Sequence, residues 1–388
     1  MRLSQLLTPL GFAALAAGAL FDRQPESADS LMKDLNAEAF EALRALEEGS
    51  SDKRADGTCS LSTATVRRDW AALSKRERLA YIEAVKCLQS RPSKSDPNWA
   101  PGARTRYDDF VAIHIHLTTS IHSTGNFLTW HRYFVHTYEQ TLKKECGYKG
   151  AQPYWNWFAH QDDINKSPVY DGSETSMGGT GSYVEHEGSW AATGNVLFTP
   201  GKGGGCVQSG PFTNLTVNLG PIRPGMRSLP VSPSGSLGYN PHCLRRDVSN
   251  DPMRYMTAAN LLNITLGQAS HSVRLFQDEL QGRFGDKFVG MHSAGHYVAG
   301  GDATDVFASP IDPSFFLHHA MVDRVYWVWQ VLHPDVAKAV AGTITIGNNP
   351  PSRDALPSDP LDLGVLAKKI QLSDAYDTLA GPFCYIYL

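Results

Sequence analysis

The chain has 388 residues, enough for one large domain or two small ones. Hydrophobic residues make up 42% of it, charged residues 19%, and the formal net charge is −4. That balance suits a globular protein with a sizeable core and excludes a broad basic face for nucleic acid.

In chain order the first element reads as a leader for export. Arg2 supplies the positive start, Leu10 to Ala17 is apolar apart from Gly11, and Ala17-Gly18-Ala19 is a small-x-small cleavage pattern. The run is shorter than the ~20 residues of a membrane span, and no later stretch reaches that length. A soluble, secreted product follows, with a signal peptide over 1–19. Next, Leu31, Leu35, Phe40, Leu43 and Leu46 recur at helical spacing among many acids. Lys53-Arg54 ends this stretch in a polar run. A dibasic pair there suggests a processing site, so 20–54 reads as a pro-segment and 55–388 as the catalytic domain. An ordinary N-terminal helix is the alternative.

Six cysteines follow: Cys59, Cys87, Cys146, Cys206, Cys243 and Cys384. An even number without a C-x-x-C pair, in an exported chain, predicts three disulfides, with the pairing left open. Sequons at Asn165, Asn214 and Asn263 agree with export. Residues 59–146 and 251–333 read as largely helical. Helices are predicted over Val66 to Gln89, Trp130 to Cys146 with Gly147 as cap, Leu261 to Leu280, and Phe315 to Leu332. The Gly-, Ser- and Pro-rich stretch 165–250 is either a linker or a set of loops over one core. Cys206 and Cys243 favour the loops, because they could pin them.

The histidines carry the chemistry. His292 and His296 are an i, i+4 pair on one helix face, and His319 on the next helix could close a set of three. His122 and His131 form a second group with His114 or His116. Neutral imidazole suits Cu, Zn, Fe and Ni, and three imidazoles leave room for a small ligand. Taken alone, an H-x-x-x-H pair or a buried histidine is weak; the surrounding motifs give it weight.

The segment from His122 through His131-Arg132-Tyr133-Phe134 resembles the first copper motif of type-3 copper proteins. Asp312-Pro313-Ser314-Phe315-Phe316-Leu317-His318-His319 through Asp323-Arg324 resembles their second. Pro153-Tyr154-Trp155-Asn156-Trp157 and Cys384-Tyr385-Ile386-Tyr387 resemble the flanking family motifs. These matches span 59–388 and are most similar to short fungal catechol oxidases and tyrosinases.

The resemblance implies a mostly α fold: a four-helix bundle holding a dicopper centre, with long loops and little β structure. It implies two copper ions held by His114, His122, His131, His292, His296 and His319. It selects His319 over His318, and His114 over His116. It makes Asp323 a carboxylate that orients a ligand imidazole. It places Val306 as a gate above one copper and Ser293 beside incoming phenol. Two departures stand out. The family's acid between two tryptophans is Asn156 here, and Ser120 stands where many members carry the cysteine of a thioether. The expected reaction is oxidation of o-diphenols to o-quinones by O₂, with little monophenol hydroxylation. Partners are then a small phenol and O₂, with no nucleic acid or membrane; the oligomeric state is open. A haemocyanin-like oxygen carrier is the rival from another class. A zinc hydrolase would need the Glu of H-E-x-x-H, and a blue-copper carrier a His₂Cys set.

Overall fold

A computed structural model of the chain describes residues 27–49 and 59–388. The leader and Lys53-Arg54 lie outside the described residues. The fold is mostly α, and its strands are short pairs in loops. Four helices form the centre: α3 (Arg106–Ile121), α4 (Phe127–Cys146), α7 (Gly290–Ala299) and α8 (Ser314–Leu332). Around them pack α1 (Ala28–Gly49), α2 (Lys75–Ser90), α5 (Ala258–Thr265) and α6 (Val273–Gln281). No described helix is long and apolar enough to cross a membrane.

The helix limits follow local chemistry. Ser74 and Glu77 close a capping box at the start of α2, and Thr105 and Asp108 close one at α3. Gly147 ends α4 in the left-handed conformation, at φ 68°. Helix α8 is buried along nearly its whole length, so it has no polar face to read.

Two predicted helices are interrupted. Thr65–Arg67 is a strand, paired in parallel with Tyr385–Tyr387 at the far end of the chain. Its neighbour Asp69 caps a short 3₁₀ turn, and the helix begins only at Lys75. The stretch 261–280 is likewise two helices, broken by Gly267 and restarted by the Ser272 cap. Three disulfides join Cys59 to Cys384, Cys87 to Cys146 and Cys206 to Cys243. The last pins the loops of 165–250, which lie over the main core, with a small second cluster of Ala191, Val196, Phe198, Val289 and Tyr297 beneath them.

Helix α1 falls within the stretch read as a pro-segment. Its face of Leu31, Met32, Leu35 and Ala39 is buried in the main core. Asn36 accepts from Arg324 Nε at 3.2 Å and donates to the Tyr387 carbonyl at 3.2 Å. Asp29 accepts from Asn156 at 2.7 Å. The buried Arg324 of α8 therefore finds neutral Asn36 and the ring of Tyr154, 4.5 Å away, where the family's acid is missing. Helix α1 thus supplies core side chains and a partner of the buried Arg324.

Candidate metal centre

Six of the predicted histidines meet at the centre of the bundle. His114 lies on α3, His122 at the residue that ends it, and His131 on α4. His292 and His296 lie on α7 and His319 on α8. One ring nitrogen from each of His114, His122 and His131 lies within 4.8 Å of the others, and the same holds for His292, His296, His318 and His319. The two groups adjoin: the rings of His131 and His319 stack at 4.6 Å, and those of His122 and His292 lie 6.4 Å apart. Phe127 and Phe315 wall the centre with apolar surface.

The first triad has its tautomers fixed by the backbone. Nδ1 of His114 donates to Phe307 O at 2.8 Å, His122 to Thr118 O at 3.0 Å, and His131 to Phe127 O at 2.8 Å. A carbonyl only accepts, so each Nδ1 carries the hydrogen and each Nε2 keeps its lone pair. Nε2 of His114 and of His131 is buried without a partner. In the second group Nε2 of His296 lies 3.3 Å from Nε2 of His292 and 3.3 Å from Nε2 of His319. Nδ1 of His292 and of His319 is buried without a partner, so no backbone acceptor fixes these tautomers, and a cation joining the three clustered Nε2 atoms would satisfy them together. This donor set fits a transition-metal ion that takes imidazole, such as Cu, Zn, Fe or Ni.

His318 is different. The Trp157 indole N–H donates to its Nδ1 at 3.1 Å. Because indole is a donor only, Nδ1 is the acceptor and Nε2 holds the hydrogen. A protonated Nε2 has no lone pair for a metal. This chemistry separates His318 from His319, although both stand in the same cluster. His116 faces outward, edge-on to Trp99 at 5.4 Å, away from the triads.

Burial, with repulsion from neighbouring rings behind it, holds His114, His131, His292, His296 and His319 well below the ordinary imidazole range. Burial lowers His122 to about 4. All six rings are neutral near pH 6.5 and above, the state in which imidazole binds metal.

Asp323 requires a correction. It touches no imidazole. Oδ1 accepts from Arg132 Nε at 2.6 Å, and Oδ2 from the hydroxyls of Tyr385 and Tyr387 at 2.6 Å each. Arg67 adds a contact at 3.3 Å. The orienting acceptors for the first triad are backbone carbonyls instead. Asp323 joins α8 to α4 and to the C-terminal strand, and this is what the tyrosine motif does structurally.

The loop between α7 and α8 reaches across to the first triad. Asp305 accepts backbone N–H groups from Arg223 at 2.8 Å and Phe307 at 2.9 Å, which sets the Phe307 carbonyl over His114. Val306 is half-buried in this loop. The Ser293 hydroxyl donates to the Gln281 carbonyl at 2.6 Å, so its proton is committed and it does not stand free to orient water as a donor. Asp312 of the second motif forms a buried fork with Arg246, at 2.7 and 2.9 Å, and caps the start of α8 through Ser314 N. Sequence reading gave no role to Gln281, Trp157 or Arg246. Trp157 was visible only as part of a flanking motif, and Arg246 lies in a loop with no local signal.

The fold and site define a class: an α-helical protein with two facing histidine triads at its centre. The common central domain of tyrosinase matches residues 104–332, and the chain belongs to the tyrosinase family of copper oxidoreductases. It is 36% identical over 346 residues to N-acetyl-6-hydroxytryptophan oxidase ivoB of Emericella nidulans, covering 85% of this chain and 93% of that one. It is 35% identical over 328 residues to Tyrosinase P of Aspergillus terreus, covering 83% and 91%. The solved structure of a polyphenol oxidase from Thermothelomyces thermophila superposes with TM-score 0.86 at 40% identity, covering 92% of this chain and 97% of that one. That coverage of this chain is more than 55–388 alone could supply, so the likeness extends into the N-terminal stretch.

Proposed function

We propose that this chain is a secreted catechol oxidase with two coppers. His114, His122 and His131 hold one, and His292, His296 and His319 hold the other. Bound copper supplies the redox chemistry with O₂. Two o-diphenols each give two electrons and two protons to one O₂ and leave as o-quinones, with two waters formed. The chain's own part is to hold six neutral imidazoles in place and to wall them with the apolar rings of Phe127 and Phe315. The observation that carries this reading is the pair of adjoining triads: Nε2 of His114 and His131 is buried without a partner, and Nε2 of His292, His296 and His319 meets only other imidazoles.

Two side chains set the preference. Val306 is small and half-buried, and as a gate it admits an aromatic ring without a bulky side chain moving aside. Ser293 lacks the carbonyl acceptor of an amide, and its hydroxyl is spent on Gln281. Deprotonation of an incoming monophenol therefore has little help, and diphenol oxidation dominates. Export rests on the leader-like first 19 residues and the three disulfides. O₂ uptake by the copper-loaded enzyme, with a catechol, its monophenol and an o-aminophenol, tests the reading. Fastest uptake is expected with the catechol. A monophenol turned over as fast, without a lag, makes tyrosinase the better description, and fastest uptake with the o-aminophenol makes it an o-aminophenol oxidase.

A further inference from the structure

Gln281 is the last residue of α6 and is 5% exposed. It touches the residue that follows a histidine in each triad. Its side-chain Oε1 accepts the backbone N–H of Ser123 at 2.8 Å, and its backbone carbonyl accepts the Ser293 hydroxyl at 2.6 Å. Ser123 directly follows His122, and Ser293 directly follows His292. The two rings so flanked face each other across the triads, 6.4 Å apart and 25° from parallel.

Each end of this bridge is placed by strain or by close approach. Ser123 has φ 49°, a left-handed conformation that a serine adopts at a cost. It begins the turn between α3 and α4, where His122 has left the helix at φ −120° and ψ 139°. On the other side, α6 and α7 meet backbone to backbone. A Cβ on Gly290 would stand 2.5 Å from Leu280 O, and one on Gly282 would stand 2.3 Å from Val289 O. The end of α6 is thus locked to the start of α7, and the Gln281 side chain carries that position across to the His122 turn.

We propose that Gln281 is a positioning residue that sets the separation of the two metal triads, by fixing the His122 turn against the helix that bears His292. The inference rests on the copper reading above. It assigns to Gln281 no contact with substrate or metal. Without the Oε1 acceptor, the left-handed Ser123 loses a tie that compensates its strain, and His122 is free to move relative to His292.

Gln281→Met keeps the length and apolar body of the side chain and removes the acceptor, whereas Gln281→Glu restores one. Gln277→Met is the stability control. Gln277 lies one turn earlier on α6, is 2% exposed, and bonds the Ala341 carbonyl rather than anything beside a triad. Copper release from the loaded proteins to an excess chelator is followed together with thermal unfolding. In Gln281→Met, one of two coppers is expected to leave about tenfold faster, the scale of one lost buried hydrogen bond. Gln281→Glu is expected to recover most of that difference, and Gln277→Met to lower the melting temperature while releasing copper at the parental rate. Parental release from Gln281→Met, or equal acceleration in Gln277→Met, overturns the inference. A parental protein that does not hold two coppers overturns the copper reading itself, so the two failures are distinct.

Discussion

At the scale of single residues, the copper motifs could be read because chemistry at a metal constrains residue type and spacing together. The choice of His114 over His116 came from family spacing. The structure gives it a physical form, since His114 sits in the triad and His116 faces outward. Copper content of His114→Ala is expected to fall by about one ion per chain, as one of three ligands is lost, and that of His116→Ala to stay unchanged. The reverse pattern would exchange their roles. Asp323 was visible as important, but its partners were not, because Arg67, Tyr385 and Tyr387 are far away in sequence. Its carboxyl is held below the usual carboxylate range: burial opposes ionisation, and the charges of Arg132 and Arg67 overcome it. Removing one partner from a buried charge network costs about 3–5 kcal/mol. Asp323→Ala should lose that much in urea unfolding. A loss under about 1 kcal/mol would show that the network relaxes without it.

At the scale of elements, periodicity found the helices but not their breaks. Val66 and Arg67 read as the start of a helix because the partner of their strand is at the other end of the chain. The amphipathic pattern of α1 was also readable, whereas its seat against α8 was not. Leu31, Met32 and Leu35 are each at most 1% exposed, and burying such a side chain contributes about 1.5–3 kcal/mol. Their sum is comparable with the ~5–15 kcal/mol that holds a whole domain together. A chain starting at Ala55 should therefore unfold at lower temperature than the full protein, or fail to accumulate. N-terminal sequencing of active enzyme should find a start before Ala28. A stable, active enzyme beginning near Ala55 would support the pro-segment reading.

At the scale of the whole molecule, the bundle buries neutral imidazoles, and acid works against it. Burial lowers both His122 and His136 from 6.5 to about 4. The folded pKa is the depressed one, so the unfolded chain takes up protons first. Stability is full above pH 6.5 and declines as pH falls from 6.5 to about 4. The melting temperature of metal-free protein should drop across that window, and a flat profile would mean that the rings are not buried as described. The central claim is that the adjoining triads are a dinuclear copper site. Elemental analysis of the purified chain, with His122→Ala and His296→Ala beside it, tests it most directly. Two coppers per parental chain are expected, with copper lost from each variant; one zinc per chain, or full copper in either variant, would contradict it.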